Sequence, residues 1–419
     1  MTGRRPADFL LTGATELVTV EPALGDGPLG VLRDGAVAAE GGRIVAVGAS
    51  ADVRETVSLQ PGAVEVDARG RVVLPGFVDS HTHLLFAGSR EDEFARRVAG
   101  ASYQEIAAAG GGILSTVRAT RAAGVEELVA LGRARLDLVL RHGTTTVEVK
   151  SGYGLATEPE LRMLEAIRRL RELHPVGVHA TFCGAHEVPP EFPGDPDGYV
   201  ALVVEEMLPA VARRGLAEYV DVFCERGVFT VDQARRVLRA GQALGLRAKF
   251  HADEFVATGG AELAAEVGAL SADHLLAARL EGIRAMQAAG VTATLLPGTA
   301  CFLGLPYAPA RRFLETGVRV ALATDFNPGS SYTPNMQLIV SLACTQMRMT
   351  VEEALEAATL GGARAMGLAD VVGSLRPGKA CDLAVLDVPN YRHVPYLFGV
   401  NHVAVVVKGG RVVRPAASA

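Results

Sequence analysis

Tryptophan is absent from the 419 residues, and the aromatic residues together make up only 5%. A surface that stacks nucleic-acid bases needs such rings, so none is expected. A basic excess is missing too: 41 Lys and Arg face 47 Asp and Glu, a formal charge of -6. That leaves no electrostatic footprint for nucleic acid or an anionic membrane. No apolar run reaches the ~18 residues that a membrane-spanning helix requires. Near the N-terminus, Arg4 and Arg5 precede a stretch interrupted by Asp8 and Gly13, with no secretory apolar region. The cysteines, Cys183, Cys224, Cys301, Cys344 and Cys381, are odd in number and form no C-x-x-C pair. A disulfide framework or a thiolate zinc site is not expected, and reduced thiols in the cytoplasm are the simple reading. What is present is 49% hydrophobic residues against 21% charged ones. That suffices for a substantial core and is unlike a disordered chain.

The two ends share a pattern that the middle lacks. Residues 9–76 read as short β-runs (Glu16–Val20, Ala36–Glu40, Arg43–Val47, Val64–Asp67, Arg71–Val73) punctuated by glycine pairs such as Gly41-Gly42. Leu383–Leu386, Val403–Lys408 and Arg411–Val413 resume the pattern. Neither end alone has enough strands for a stable sheet. Residues 1–76 and 369–419 are therefore expected to build one small β-sandwich together. Between them, residues 77–368 alternate β-branched runs with amphipathic segments such as Glu158–Leu173, Val231–Leu244 and Gly259–Val267. The expected strands are Phe77–Leu84, Thr144–Lys150, Gly177–Phe182, Tyr219–Phe223, Arg247–His251, Leu270–His274, Val291–Leu295 and Val318–Ala323. Eight βα repeats predict an α/β fold, a closed TIM-like (β/α)8 barrel. An open doubly wound sheet is the competing arrangement, but no G-x-G-x-x-G turn follows the first strand.

Asp79-Ser80-His81-Thr82-His83, at the end of the first strand, is the strongest local signal. Side chains at i and i+2 share a strand face ~6.6 Å apart, so two imidazoles can converge on one cation. Two hydrogen-bonded polar residues at a strand end are the plain alternative. Three more strands end in ligand-type residues: Lys249-Phe250-His251-Ala252-Asp253-Glu254, Ser271-Ala272-Asp273-His274, and Ala321-Leu322-Ala323-Thr324-Asp325. The C-terminal strand ends of such a barrel form one rim, where active sites lie. Any one segment could be a packed histidine or a helix-capping aspartate, but their recurrence at strand ends favours a shared site. Tyr153 and His186 follow the second and third strands and also fall at this rim. Arg90 follows the first strand, where a guanidinium suits a substrate carboxylate or an ordinary surface ion pair. Asn327-Pro328-Gly329-Ser330 could offer backbone N–H groups to an anion or be a plain turn. Gly110-Gly111-Gly112 reads as a lid hinge or a helix stop. His142, His174, His393 and His402 read as structural or surface residues, and His179 as packed within its strand.

These motifs resemble those of the imidazolonepropionases, a family of the metal-dependent amidohydrolase superfamily. The resemblance is carried by His81-Thr82-His83-Leu84, Ala107–Thr116, Glu148–Gly154, Phe250–Phe255, Ala272–His274, Thr324–Ser330 and Met336–Met349. It continues through Pro377-Gly378-Lys379 and Asp382-Leu383-Ala384. The H-x-H pair and the final aspartate alone would mark only the superfamily. The Gly-Gly-Gly-Ile-Leu-Ser, Lys-Ser-Gly-Tyr-Gly and Asp-Phe-Asn-Pro-Gly-Ser runs are more specific. The resemblance implies a cytoplasmic hydrolase of cyclic-amide C–N bonds, converting 4-imidazolone-5-propanoate to N-formimidoyl-L-glutamate in histidine degradation. It implies one zinc or iron ion per subunit, held by His81, His83, His251 and Asp325. Arg90 would hold the propionate carboxylate, with Tyr153, His186, Glu254, Asn327, Gly329 and Ser330 around the rest.

Ring opening at neutral pH then calls for a metal-activated water with His274 as general base. Glu254 would bond the ring nitrogen and help protonate the leaving group, and Asp325 would shuttle a proton. Neither Lys150 nor Lys249 stands where a carbamate bridge between two metals would, so one metal is expected. A related deaminase of a nucleobase-like ring is the alternative; it would share the metal set but give Arg90 no purpose. A non-enzymatic relative would have lost ligands, and none is missing. A small-molecule substrate, no nucleic-acid or membrane partner, and a homodimer complete the expectations.

Overall fold

The computed structural model describes residues 4–101, 105 and 110–414. Residues 107–109, which open one of the resembling segments, lie outside the described residues. The centre is an eight-stranded parallel sheet whose strands follow chain order. They are β1 (Phe77–Asp79), β2 (Thr144–Lys150), β3 (Gly177–Ala185), β4 (Tyr219–Cys224), β5 (Arg247–Ala252), β6 (Ser271–His274), β7 (Thr292–Leu295) and β8 (Val320–Leu322). All eight expected strands are present. β1 is shorter than expected, because the chain leaves regular pairing after Asp79 and turns across the rim.

Closure of the barrel uses that irregular stretch. The Asp79 carboxylate accepts the Thr324 N–H at 3.0 Å and the Thr324 hydroxyl at 2.6 Å. The Asp325 N–H donates to the His81 carbonyl, and the His83 N–H to the Phe326 carbonyl, both at 3.0 Å. The first and eighth strands are thus joined through the residues that carry the candidate chemistry.

Parallel strands covered on both sides are buried along their whole length, and β2 is buried at each of its positions. Its alternate residues divide. Val147 and Val149 belong to the large apolar cluster under the helices, while Glu148 and Lys150 join inside the barrel. The helices follow from caps and apolar stripes. Thr230 caps Val231–Ala243 by accepting the Gln233 N–H, and the Gln233 side chain accepts the Thr230 N–H in return. Gly241 of that helix lets its backbone approach Val220 of β4. No helix among the described residues is long and apolar enough to cross a membrane, and the cysteines are unpaired.

Two further sheets come from the chain ends. One orders Arg43–Ala49, Gly35–Glu40, Arg5–Ala14 and Val57–Asp67; the other orders Arg411–Arg414, Val403–Lys408, Leu383–Leu386, Val72–Pro75, Glu16–Val18 and Val31–Leu32. In the second, Leu383–Leu386 pairs antiparallel with Val72–Pro75, so both termini share one sheet. Phe9, Leu11, Ile44, Val73, Leu383, Val385 and Val407 belong to one buried cluster between the two sheets. Arg5–Ala14 is a strand that the sequence pattern did not suggest. Its polar Asp8 is explained by the neighbouring turn, whose Gly41 N–H donates to the Asp8 carboxylate at 2.9 Å.

A Cβ added at Gly362 would stand 2.2 Å from the Val78 carbonyl oxygen of β1. Gly362→Ala is expected to lower stability by about 1–3 kcal/mol through overpacking. Denaturant unfolding checks this: a midpoint equal to the parent's would show that the contact is not tight.

Candidate active site

The strand ends bring five candidate groups together around His81. The ligand atoms of His81, His83 and His251 lie within 4.8 Å of one another, as do those of His81, His274 and Asp325. His83 Nε2 and His251 Nε2 are 3.1 Å apart. Asp325 Oδ1 lies 3.6 Å from His81 Nε2 and 3.8 Å from His83 Nε2. His274 and Asp325 are held at φ 78° and 53°. This left-handed region costs a residue with a side chain of order 1–3 kcal/mol, and such strain gathers at functional sites.

Beneath these groups is a layer of buried charge. Asp273 accepts His81 Nδ1–H at 2.6 Å, and Asp221 accepts His251 Nδ1–H at 2.9 Å. Each bond turns the opposite ring nitrogen toward the cavity, as carboxylates behind metal-ligating histidines do. Asp221 in turn accepts Lys150 Nζ at 2.6 Å, and Lys150 also bonds Glu148 at 2.7 Å. Lys249 donates to the Ser80 carbonyl at 3.1 Å and to the Ser271 hydroxyl at 2.9 Å. Both lysines are therefore engaged below the site. Burial works against the charged form of Lys150, but Asp221 and Glu148 outweigh it and hold its pKa above the ordinary value. Asp221 is likewise depressed despite burial, by His251 and Lys150.

Burial pushes His81, His83 and His274 well below the usual imidazole range, and the cationic neighbours add to it. All three are neutral at pH 7, the form that ligates metals. His81 Nε2, His83 Nδ1 and both ring nitrogens of His274 are buried without a hydrogen-bond partner. Buried polar atoms are normally satisfied, and a cation held between His81 Nε2, His83 Nε2, His251 Nε2 and Asp325 would satisfy the orphaned His81 Nε2. Two nitrogens each ~2.1 Å from one tetrahedral ion stand ~3.4 Å apart, close to the His83–His251 separation. The donor set thus fits a single metal ion.

The groups open into a cavity of about 680 Å³, lined by His83, Arg90, Tyr153, His186, His251, Glu254, His274, Asp325, Asn327, Gly329 and Ser330, with His81 behind them. Every sequence-expected site residue is thereby gathered in one place. His186 stacks on His83, centroids 4.7 Å apart, and burial, with His251 beside it, lowers its pKa to about 3. Glu254 lies 3.5 Å from His274 Nδ1. Burial and the nearby Asp325 push it well above the usual carboxylate range. Burial also raises Asp325 to about 6, against the Thr299 hydroxyl that donates to it at 2.5 Å.

Arg90 Nε donates to Glu93 at 2.8 Å, and the other Glu93 oxygen takes the Gly112 N–H and the Ser115 hydroxyl at 3.0 Å each. Gly112 is the residue that precedes the helix Ile113–Ala122. A Cβ at Gly329 would stand 2.3 Å from Arg90 Nη1, so the guanidinium packs directly on this glycine. The N–H groups of Gly329 and Ser330 both donate to Asn327 Oδ1 at 2.8 Å. The loop is a plain turn in this respect, and those N–H groups are not free for an anion. His179, expected to be packed, is half-buried and paired with Glu218 at 2.8 Å.

Asp221, Glu148 and Thr299 escaped sequence reading. The available signal was a carboxylate in the middle of the apolar run Tyr219–Cys224, on the same inward face as Lys249 and His251 of the next strand.

The chain belongs to the amidohydrolase family, whose model matches residues 72–413. Within that family it stands among the imidazolonepropionases. It is 55% identical to the imidazolonepropionase of Geobacillus kaustophilus over 96% of this chain and 95% of the relative. It is 53% identical to that of Symbiobacterium thermophilum over 98% of each. Among solved structures, a zinc-bound adenosine deaminase from Xanthomonas campestris superposes with a TM-score of 0.74 at 22% identity, covering 99% of this chain and 94% of that one. E. coli guanine deaminase gives 0.72 at 16% identity, covering 98% and 99%. At such identities these two share the fold alone.

Asp221→Asn keeps the shape but weakens the acceptor behind His251. Zinc affinity measured by titration is expected to fall roughly 10- to 100-fold with the circular dichroism spectrum unchanged. Unaltered affinity would remove Asp221 from the role of orienting that imidazole.

Proposed function

We propose that the chain hydrolyses 4-imidazolone-5-propanoate to N-formimidoyl-L-glutamate, the ring-opening step of histidine degradation. The observation that carries this reading is one cavity with two chemically different ends. Imidazoles and Asp325 form its floor, and the Arg90 guanidinium stands on its wall. A compact ring bearing an anionic side chain matches that pairing, and the full-length likeness to imidazolonepropionases supports the same substrate. In this reading residues 77–368 form the catalytic unit, and residues 1–76 and 369–419 form its support.

His81, His83, His251 and Asp325 would hold one zinc or iron ion. Such an ion, when bound, lowers the pKa of water toward ~7 and polarises a carbonyl oxygen. His274 takes the proton from the attacking water: its nitrogens are unpartnered and burial keeps it neutral. Glu254, protonated at neutral pH because of burial and Asp325, donates to the ring nitrogen that leaves. Asp325 relays a proton between these two sides. The carbonyl carbon gains the water oxygen, the C–N bond breaks, and the freed nitrogen keeps the donated proton. Arg90 pairs with the propionate. Tyr153 and His186, beside the His83 ring, confine the substrate ring.

Purified protein incubated with imidazolone propionate should consume the ring's ultraviolet absorbance, while adenosine and guanine stay unchanged. Chelation should abolish the activity and added zinc or iron restore it. Turnover of the nucleobase controls alone, or indifference to chelation, would overturn the reading. His274→Ala is expected to keep its metal and lose ~10²-fold or more in kcat, the scale of an acid–base residue. Equal turnover by this variant would remove His274 as the base.

A further inference from the structure

The cavity wall holds a second guanidinium that the proposed reaction leaves unused. Arg97 lies on the helix Glu91–Val98, which begins directly after Arg90, and both side chains line the cavity. Arg97 Nη1 donates to the carbonyl of Gly329 at 3.3 Å, the residue that Arg90 covers. Its guanidinium lies 4.9 Å from the Phe302 ring and 5.7 Å from the Phe94 ring, which hold it in place. Its Nη2 is buried and bonds nothing among the described residues.

Two cations here face one local carboxylate. Glu93 gives one oxygen to Arg90 Nε, and its other oxygen is taken by Gly112 and Ser115. Burial and the repulsion of Arg90 both act against the charge on Arg97. A buried donor of a cation left without an acceptor is unfavourable, and so are two like charges side by side with one carboxylate between them. An anion with two oxygens would relieve both, and a carboxylate matches the planar fork of a guanidinium.

Resting on the ring-opening reading above, we propose that Arg97 is a specificity-determining residue that grips the substrate's side-chain carboxylate together with Arg90. One carboxylate oxygen goes to each guanidinium. A ring with a neutral side chain leaves Arg97 without an anionic partner and Arg90 with Glu93 alone, and a site built this way rejects such analogues strongly.

The test compares the metal-loaded parent, Arg97→Met and Arg97→Lys on imidazolone propionate and on its neutral propionamide. Arg97→Met should raise KM for the acid roughly 10- to 100-fold with kcat little changed, the scale of a charge-assisted bond. The amide should be handled as by the parent, so discrimination between the two collapses. Arg97→Lys should recover part of the loss. An unchanged KM for the acid, or equal losses on acid and amide, would overturn the proposal, since the second result marks a role in shaping the Gly329 turn. Calorimetric binding of the unreactive imidazole-4-propanoate and its amide decides the matter independently of turnover. Arg97→Met should weaken only the acid, and equal affinities in parent and variant would sink the proposal. A parent that turns over neither ring compound would refute the reaction and leave this binding result standing on its own.

Discussion

Two buried aspartates, each holding one imidazole by its Nδ1–H, are the constraint on which the rest of this molecule turns. Asp273 fixes His81 and Asp221 fixes His251. Carboxylates sealed from water are tolerated only with their partners in place. Lys150 therefore sits between Asp221 and Glu148, and Lys249 stands within 3.7 Å of Asp273. The barrel interior is a layered ion network rather than an apolar plug. Four of its carboxyls, Glu148, Asp221, Asp273 and Asp325, face two ammonium groups, and burial raises a fifth, Asp79, to about 7. The proposed divalent ion would offset that excess of acidic groups. On this view the metal completes the barrel's interior as well as its chemistry.

The same architecture explains why acid and base sit side by side. His274 and Glu254 share one low-dielectric pocket, which disfavours the charged form of each. One is thereby kept as a free base and the other as a protonated acid at the same pH. Closure of the barrel between Asp79 and Thr324 places Asp325 opposite His81, so the fold's last seam and its chemistry are one structure. The strained backbone at His274 and Asp325 shows that the surrounding packing dictates where these side chains point.

Much of this was legible in the sequence, for physical reasons that can be named. Barrel strands announce themselves as β-branched runs, and rim residues announce themselves because each closes such a run. His81, His83, His251, His274 and Asp325 could be assembled on paper because topology alone makes strand ends neighbours. The interior network was not legible: Glu148, Lys150 and Asp221 alternate with valines just as solvent-facing residues on an ordinary strand would. Arg5–Ala14 was hidden because Asp8 and Pro6 break its apolar pattern, and the reason for Asp8 lies in a turn distant in sequence. Arg97 was hidden in a helix whose Glu91, Asp92, Glu93 and Arg96 read as a solvated face. In each case the missing information was a partner from another segment.

The sheet shared by both termini has a bearing on how the chain is made. Val72–Pro75 must wait for Leu383–Leu386 and Val403–Lys408, which leave the ribosome only after the whole barrel. Throughout the intervening synthesis its apolar edge stands open while the barrel strands assemble beyond it, and an open edge recruits other chains. Translation halted before Leu383 would release an unfinished molecule with an adhesive flank. The closing segment thus works as a latch on that edge.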